Sequence, residues 1–131
     1  MDQAGNLYGA TGYGGDADNG LLFKISPAGK YAILHKFDGT DGSTPNGGLV
    51  ADSNGDLYGT AQTGGSDMFY GTILELTKTG HLNVLHSFSG GLDGANPFSG
   101  VARDATGNLY GTAYQNFQLH QLSGNVWELK P

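Results

Sequence analysis

The 131-residue sequence has no cysteine. Disulfides and thiolate metal sites are therefore excluded, but the compartment stays open, because a well-packed secreted repeat needs no bridges. Cations are scarce. Six Lys and Arg stand against twelve Asp and Glu, a formal net charge of −6. A few scattered cations on an acidic chain supply neither the basic footprint of a nucleic-acid binder nor a polybasic membrane patch, so no nucleic-acid partner is expected. No apolar run approaches the ~18–20 residues of a membrane helix, so no membrane insertion is expected of this chain. A charged start followed by an apolar stretch is missing too, so no signal peptide is visible. No stretch has the periodicity of an amphipathic helix of useful length.

Glycine, by contrast, is abundant, with 24 residues, while only four are proline. Hydrophobic residues make up 37% and aromatics 11% of the chain. That is enough apolar mass for a core and argues against disorder along the whole chain. The length suits one ordinary domain.

Internal repetition dominates the sequence. Asp2-Gln-Ala-Gly-Asn-Leu-Tyr-Gly-Ala10 returns as Asp52-Ser-Asn-Gly-Asp-Leu-Tyr-Gly-Thr60 and as Asp104-Ala-Thr-Gly-Asn-Leu-Tyr-Gly-Thr112. Other landmarks keep step. Gly20-Leu-Leu-Phe-Lys-Ile25 matches Gly71-Thr-Ile-Leu-Glu-Leu76 and Gly124-Asn-Val-Trp-Glu-Leu129. Leu34-His-Lys-Phe37 matches Leu85-His-Ser-Phe88, and Asp41-Gly-Ser-Thr-Pro45 matches Asp93-Gly-Ala-Asn-Pro97. In the complete middle copy four strands are predicted: a over 48–52, b over 56–61, c over 71–77 and d over 81–88. All are rich in β-branched and aromatic residues and bounded by turn formers. Alternation in strand d places Leu82, Val84, His86 and Phe88 on one face, as it does Tyr31, Ile33, His35 and Phe37 in the first copy.

Four antiparallel strands in each ~40–50 residues form the blade of a β-propeller. The predicted fold class is all-β, a propeller-type repeat of four-stranded antiparallel blades. The short, small-residue strand a is expected nearest the axis. Met1 aligns with Ala51 and Arg103, and Pro131 aligns with Pro27. Residues 1–47 then form a first blade lacking strand a, 48–99 a complete second blade, and 100–131 a third blade lacking strand d. This is roughly two and a half blades, whereas a closed ring needs at least about four. The expectation is a piece of a longer protein supplying further blades. Self-association of copies is the other way to complete a ring.

At these motifs the chain resembles the GloVer tandem repeat. The residues that carry the resemblance are the Asp-x-x-Gly-Asn-Leu-Tyr-Gly-Thr unit, the Gly-Gly loop, the Leu-His-x-Phe strand and the Asp-Gly-x-x-Pro turn. The resemblance implies a propeller-like bacterial protein that is exported and extracellular or attached to the cell surface. It carries no established catalytic residues, so none is transferred to this chain. The third copy departs from the pattern where Tyr114–Ser123 replaces the Gly-Gly loop.

Most repeated polar residues read as scaffold. Asp2, Asp52 and Asp104 can accept from amides two residues on, and the following Gly5, Gly55 and Gly107 can take positive φ, as turns between strands require. Asp52-Ser-Asn-Gly-Asp56 mimics the opening of a calcium loop, but the position of the bidentate Glu is Thr63. Tyr8, Tyr58 and Tyr110 are expected between blades, with sugar stacking as the alternative. The Gly after each Tyr suggests close backbone approach or a bulge. His35 and His86 are expected to be hydrogen-bonded structural residues, with no carboxylate seen to recur beside them at metal spacing. His81 and His120 are expected to be exposed.

Strand parity sends the b–c and d–a loops to one end of the array. Asp16, Asp18, Asp38, Asp41, Asp67 and Asp93 gather there, and no Lys or Arg lies within those loops. Long loops on a rigid scaffold commonly carry binding sites. The expected function is a non-catalytic binding, interaction or structural module. Asp41, Asp93, Tyr13 and Tyr70 are its candidate ligand residues, Asp16, Asp18 and Asp67 its candidate metal ligands, and a glycan or protein its ligand. No cofactor is expected, Ca²⁺ being the one candidate ion. The rival is a propeller hydrolase or lyase with a polar or metal-bearing site on the loop-rich face.

Overall fold

The computed structural model describes residues 1–115 and 124–131. Its eleven strands are β1 (Leu7–Thr11), β2 (Leu21–Ile25), β3 (Tyr31–Lys36), β4 (Val50–Ala51), β5 (Leu57–Ala61), β6 (Thr72–Leu76), β7 (Leu82–Ser87), β8 (Ala95–Pro97), β9 (Ala102–Arg103), β10 (Leu109–Gln115) and β11 (Asn125–Leu129). They form three antiparallel sheets. The first is β1-β2-β3, the second β4-β5-β6-β7, and the third β11-β10-β8 with β9 also on β10. The chain is all-β among the described residues, and its three sheets do not close a ring.

Strands b and c pair in the same register in every copy. Tyr8 opposes Lys24, Tyr58 opposes Glu75 and Tyr110 opposes Glu128. The turn before each strand b explains this regularity. Asp2, Asp52 and Asp104 each accept from the amide four residues on, at 2.8, 3.0 and 2.9 Å. Gly5, Gly55 and Gly107 stand at φ 80°, 91° and 96°, a region a side chain would strain.

The core lies between the sheets. The faces of a sheet alternate along each strand. In β6, Leu74 and Leu76 join one cluster with Leu22 and Phe37 of the first copy. Their neighbour Ile73 joins a second cluster with Leu109, Ala113 and Trp127 of the third copy. The middle sheet is thus apolar on both sides. Where strands a begin, the copies meet backbone to backbone: a Cβ on Gly47 would lie 2.8 Å from the Gly100 Cα.

Two features depart from the expectation. First, strand d does not keep one face. Ile73 pairs with His86 but Leu74 pairs with Val84, leaving Leu85 as an extra residue. Leu34 is extra in the same way in β3. Such a bulge turns the residues beyond it to the other face. Leu82 therefore packs in the first cluster and Phe88 in the second. Second, strand a of the third copy is preceded by β8. Pro97 opposes Ala113 and Ala95 opposes Gln115, on the same β10 that β9 borders at Leu109 and Tyr110. Ser43 makes the corresponding bridge to Thr63. The Asp-Gly-x-x-Pro segment of each copy therefore belongs to the next sheet. His120 and most of the Tyr114–Ser123 departure lie outside the described residues.

Leu74 is fully buried between the first two sheets. Leu74→Ala is expected to lower unfolding free energy by about 3 kcal/mol in urea titration followed by Trp127 fluorescence. A loss below about 1 kcal/mol would mean this interface is not a cooperative core.

Candidate functional site at the loop-bearing end

The b–c and d–a loops do meet at one end, and they interlock. Gly65 N donates to Gly39 O at 3.0 Å, and Thr44 N donates to Asn19 O at 2.9 Å. Ser43 and Thr63 exchange backbone bonds at 2.7 and 3.0 Å. The first d–a loop is therefore wedged between the b–c loops of its own copy and the next. In the second copy Asn96 ties the d–a loop to the b–c loop of its own copy. Its amide donates to Tyr70 O at 2.7 Å, and its Nδ2 donates to Gln62 O and Phe69 O at 3.1 and 3.0 Å.

Asp41 and Asp93 hold these loops in shape. His35 Nε2 lies 2.6 Å from Asp41 Oδ2, and His86 Nε2 lies 3.0 Å from Asp93 Oδ2. Both carboxylates also accept from the first turn of their own loop, Asp41 from the Asp38 amide and Asp93 from the Ser89 amide. So a carboxylate recurs beside each histidine as its hydrogen-bond partner, and both histidines are hydrogen-bonded as expected from the sequence. The strand-d bulge is the reason, since it turns the imidazole to the face from which the loop returns. Burial pushes the Asp93 carboxyl up, but bonds from Ser89 and His86 outweigh it and leave it below the usual range. Asp38 is likewise held low, first by the Thr40 hydroxyl and then by the Thr40 amide.

The other candidates are spread out. Asp16 pairs with Lys36 Nζ at 2.8 Å, so a cation from β3 does reach the acidic loops. Asp18 stands at φ 56° and accepts from the Gly14 amide. Asp67 is exposed. Among the described residues no three acidic or imidazole groups converge as a metal site would require. Tyr13 is exposed, whereas Tyr70 is half-buried with its ring against Gly90 and edge-on to Phe69.

The same end carries a groove of about 520 Å³ lined by Gln62, Asn96, Phe98 and Tyr114. Phe98 and Tyr114 are 60% and 61% exposed. Gln62 Oε1 accepts from Asn46 Nδ2 at 2.7 Å, which orients its amide. The motifs and loop charges of the sequence do not single out Gln62, Asn96 or Phe98. The available signal was departure from the repeat: Phe98 stands where the first copy has Asn46, and Tyr114 where the other copies have Gly12 and Gln62.

The opposite end is occupied by the a–b turns. Tyr8 donates to Asp2 at 2.9 Å, and Tyr110 donates to Asp104 at 3.2 Å. Tyr58 instead donates to Glu75 at 3.0 Å, and the Arg103 guanidinium lies 5.4 Å above its ring. Burial first, then the Glu75 bond, pushes the Tyr58 hydroxyl up to about 12. Asp52 shapes its turn: its Oδ1 accepts from the Asn54 and Asp56 amides at 2.9 and 3.0 Å.

Turn, strand and rim loop thus recur as one unit, and the Gloeobacter/Verrucomicrobia repeat model matches residues 1–131. The chain belongs to the Gloeobacter/Verrucomicrobia repeat family. No curated protein matches it. Within the chain the Asp–His contact recurs in the first two copies and the Asp–Tyr contact in the first and third, and the Phe98–Tyr114 groove is where the chain departs from its own pattern.

The turn carboxylates make a pH prediction. The Asn6 side chain, then its amide, hold the Asp2 carboxyl down at about 2, and Asn108 acts likewise on Asp104. Both ionise more readily folded than unfolded. Their contribution is therefore complete above about pH 4 and disappears as pH falls toward 2. Melting temperature is expected to fall across that window, and to fall less steeply in an Asp2→Asn/Asp104→Asn double variant. Equal slopes for the two proteins would contradict the role assigned to these turns.

Proposed function

We propose that this chain is a non-catalytic binding module of an exported, extracellular protein, and that its loop-bearing end takes a neutral glycan. One observation carries the reading. Two exposed aromatic rings, Phe98 and Tyr114, share a groove with the side-chain amides of Gln62 and Asn96. An aromatic face stacks on the C–H face of a pyranose, while an amide both donates to and accepts from its hydroxyls. Loops braced against one another hold these groups in place before a ligand arrives, which reduces the ordering cost of binding. The extracellular placement rests on the GloVer resemblance.

Asp41 and Asp93 enter this reading as positioning residues, since their carboxylates already accept from His35 and His86. Tyr13 and Tyr70 stand at the same end as flanking aromatics. Ca²⁺ remains a second ligand to be tried at Asp16, Asp18 and Asp67.

The test is a titration with a panel of neutral oligosaccharides, followed by NMR shifts of the Phe98 and Tyr114 rings and by calorimetry. Binding is expected to move both rings. Tyr114→Ala is expected to weaken affinity about tenfold, the value of one lost aromatic contact of ~1.4 kcal/mol. Its melting temperature should stay within a degree or so of the parent, because the residue is exposed. Ring shifts absent across the whole panel would sink the proposal.

A further inference from the structure

Arg103 is the only arginine in the sequence. It reaches from the third sheet to the second at the end where the a–b turns emerge. Its guanidinium carbon lies 5.4 Å above the Tyr58 ring, and its Nη2 lies 3.8 Å from Asp52 Oδ2. Both of these partners belong to the repeat, and they return in the first copy as Tyr8 and Asp2. The arginine does not return. Its counterpart one copy earlier is Ala51.

The corresponding place between the first and second sheets is a cavity of about 510 Å³. Asp2, Tyr8, Ala51, Gly55 and Leu57 line it, and they are the counterparts of Asp52, Tyr58, Arg103, Gly107 and Leu109. Ala51 is exposed, and its methyl group is too short to reach the aspartate or the tyrosine ring. The Asp2 carboxylate accepts from the Asn6 amide, the Asn6 side chain and the Tyr8 hydroxyl. A carboxylate has about four acceptor positions, so one is left for a further donor. None of the side chains lining the cavity is cationic. The second interface also shows that strand a leaves this place open. There Val50 of β4 stands opposite Tyr58, and the guanidinium still reaches the ring.

We propose that this cavity binds the guanidinium group of an arginine-bearing ligand, with Asp2 as its counter-ion and the Tyr8 ring as its stacking face. Arg103 displays the same pose one interface further on. A guanidinium suits both contacts, because it is planar, weakly hydrated and attracted to an aromatic face. The lysine ammonium is more strongly hydrated and fits such a place less well. A formal net charge of −6 favours the approach of a cation. This inference is independent of the glycan groove, which lies at the opposite end of the sheets.

The test is a titration of the whole chain with free arginine, with the capped tripeptide acetyl-Gly-Arg-Gly-amide and with citrulline, the uncharged isostere. Binding is read from NMR shifts of the Tyr8 ring and the Asn6 side-chain amide. At least one arginine probe is expected to saturate with a Kd of ~1 mM, and citrulline to bind about tenfold more weakly or not at all. Saturation by free arginine alone identifies a small-molecule site, and saturation by the tripeptide alone identifies a site for an arginine on a partner chain. Asp2→Asn is expected to weaken binding about tenfold. Ala51→Arg leaves that turn untouched and supplies the chain's own guanidinium, so it is expected to abolish binding. Neither arginine probe saturating, citrulline binding equally well, or unchanged affinity in Asp2→Asn or Ala51→Arg overturns the proposal.

Discussion

Each sheet in this chain is apolar on both faces. The middle sheet shows it most clearly, with Leu74 and Leu76 on one side and Ile73 on the other. A single sheet of this kind cannot hide its own apolar surface, so its stability depends on neighbours of the same type. The rest of the architecture reflects that dependence. Small residues line the start of strand a so that copies can approach closely, and Gly47 meets Gly100 backbone to backbone there. Paired strands alone would leave the sheets free to slide, and other contacts prevent it.

Those contacts are the loops of one end. The Asp-Gly-x-x-Pro segment leaves one sheet and pairs with the next, through Ser43 and Thr63 in one case and through β8 on β10 in the other. A carboxylate inside each segment ties it back to the histidine of the strand it left. The bulge in strand d makes that tie possible, because without it the imidazole would point to the opposite face. One extra residue in a strand therefore couples sheet geometry to loop geometry in every copy that has both.

Repetition also separates scaffold from recognition. A residue that performs the same contact in each copy, such as Asp2, Asp52 or Asp104, is accounted for by that contact. Phe98 and Tyr114 occupy repeated positions but break the repeated residue type, and both are exposed beside orienting amides.

Turn chemistry and side-chain alternation were readable from sequence alone because both are local. Asp-x-x-Gly specifies a positive-φ turn within five residues, and alternation specifies which residues of β6 face opposite ways. The spacing of the landmarks likewise determined the number of sheets and the end at which the long loops emerge. What the tertiary structure decided was every contact made across a change of register. The extra residues Leu34 and Leu85 leave no mark in an alternation of apolar residues, so sequence alone misassigns the faces of His35 and His86. The pairing of these histidines to Asp41 and Asp93 is hidden with them. The partner of β8 is equally hidden, because three residues of mixed character acquire a strand conformation only when a neighbouring edge supplies the hydrogen bonds. The groove of Gln62, Asn96, Phe98 and Tyr114 draws on loops of successive copies, and only the packing of one sheet on the next brings those loops together.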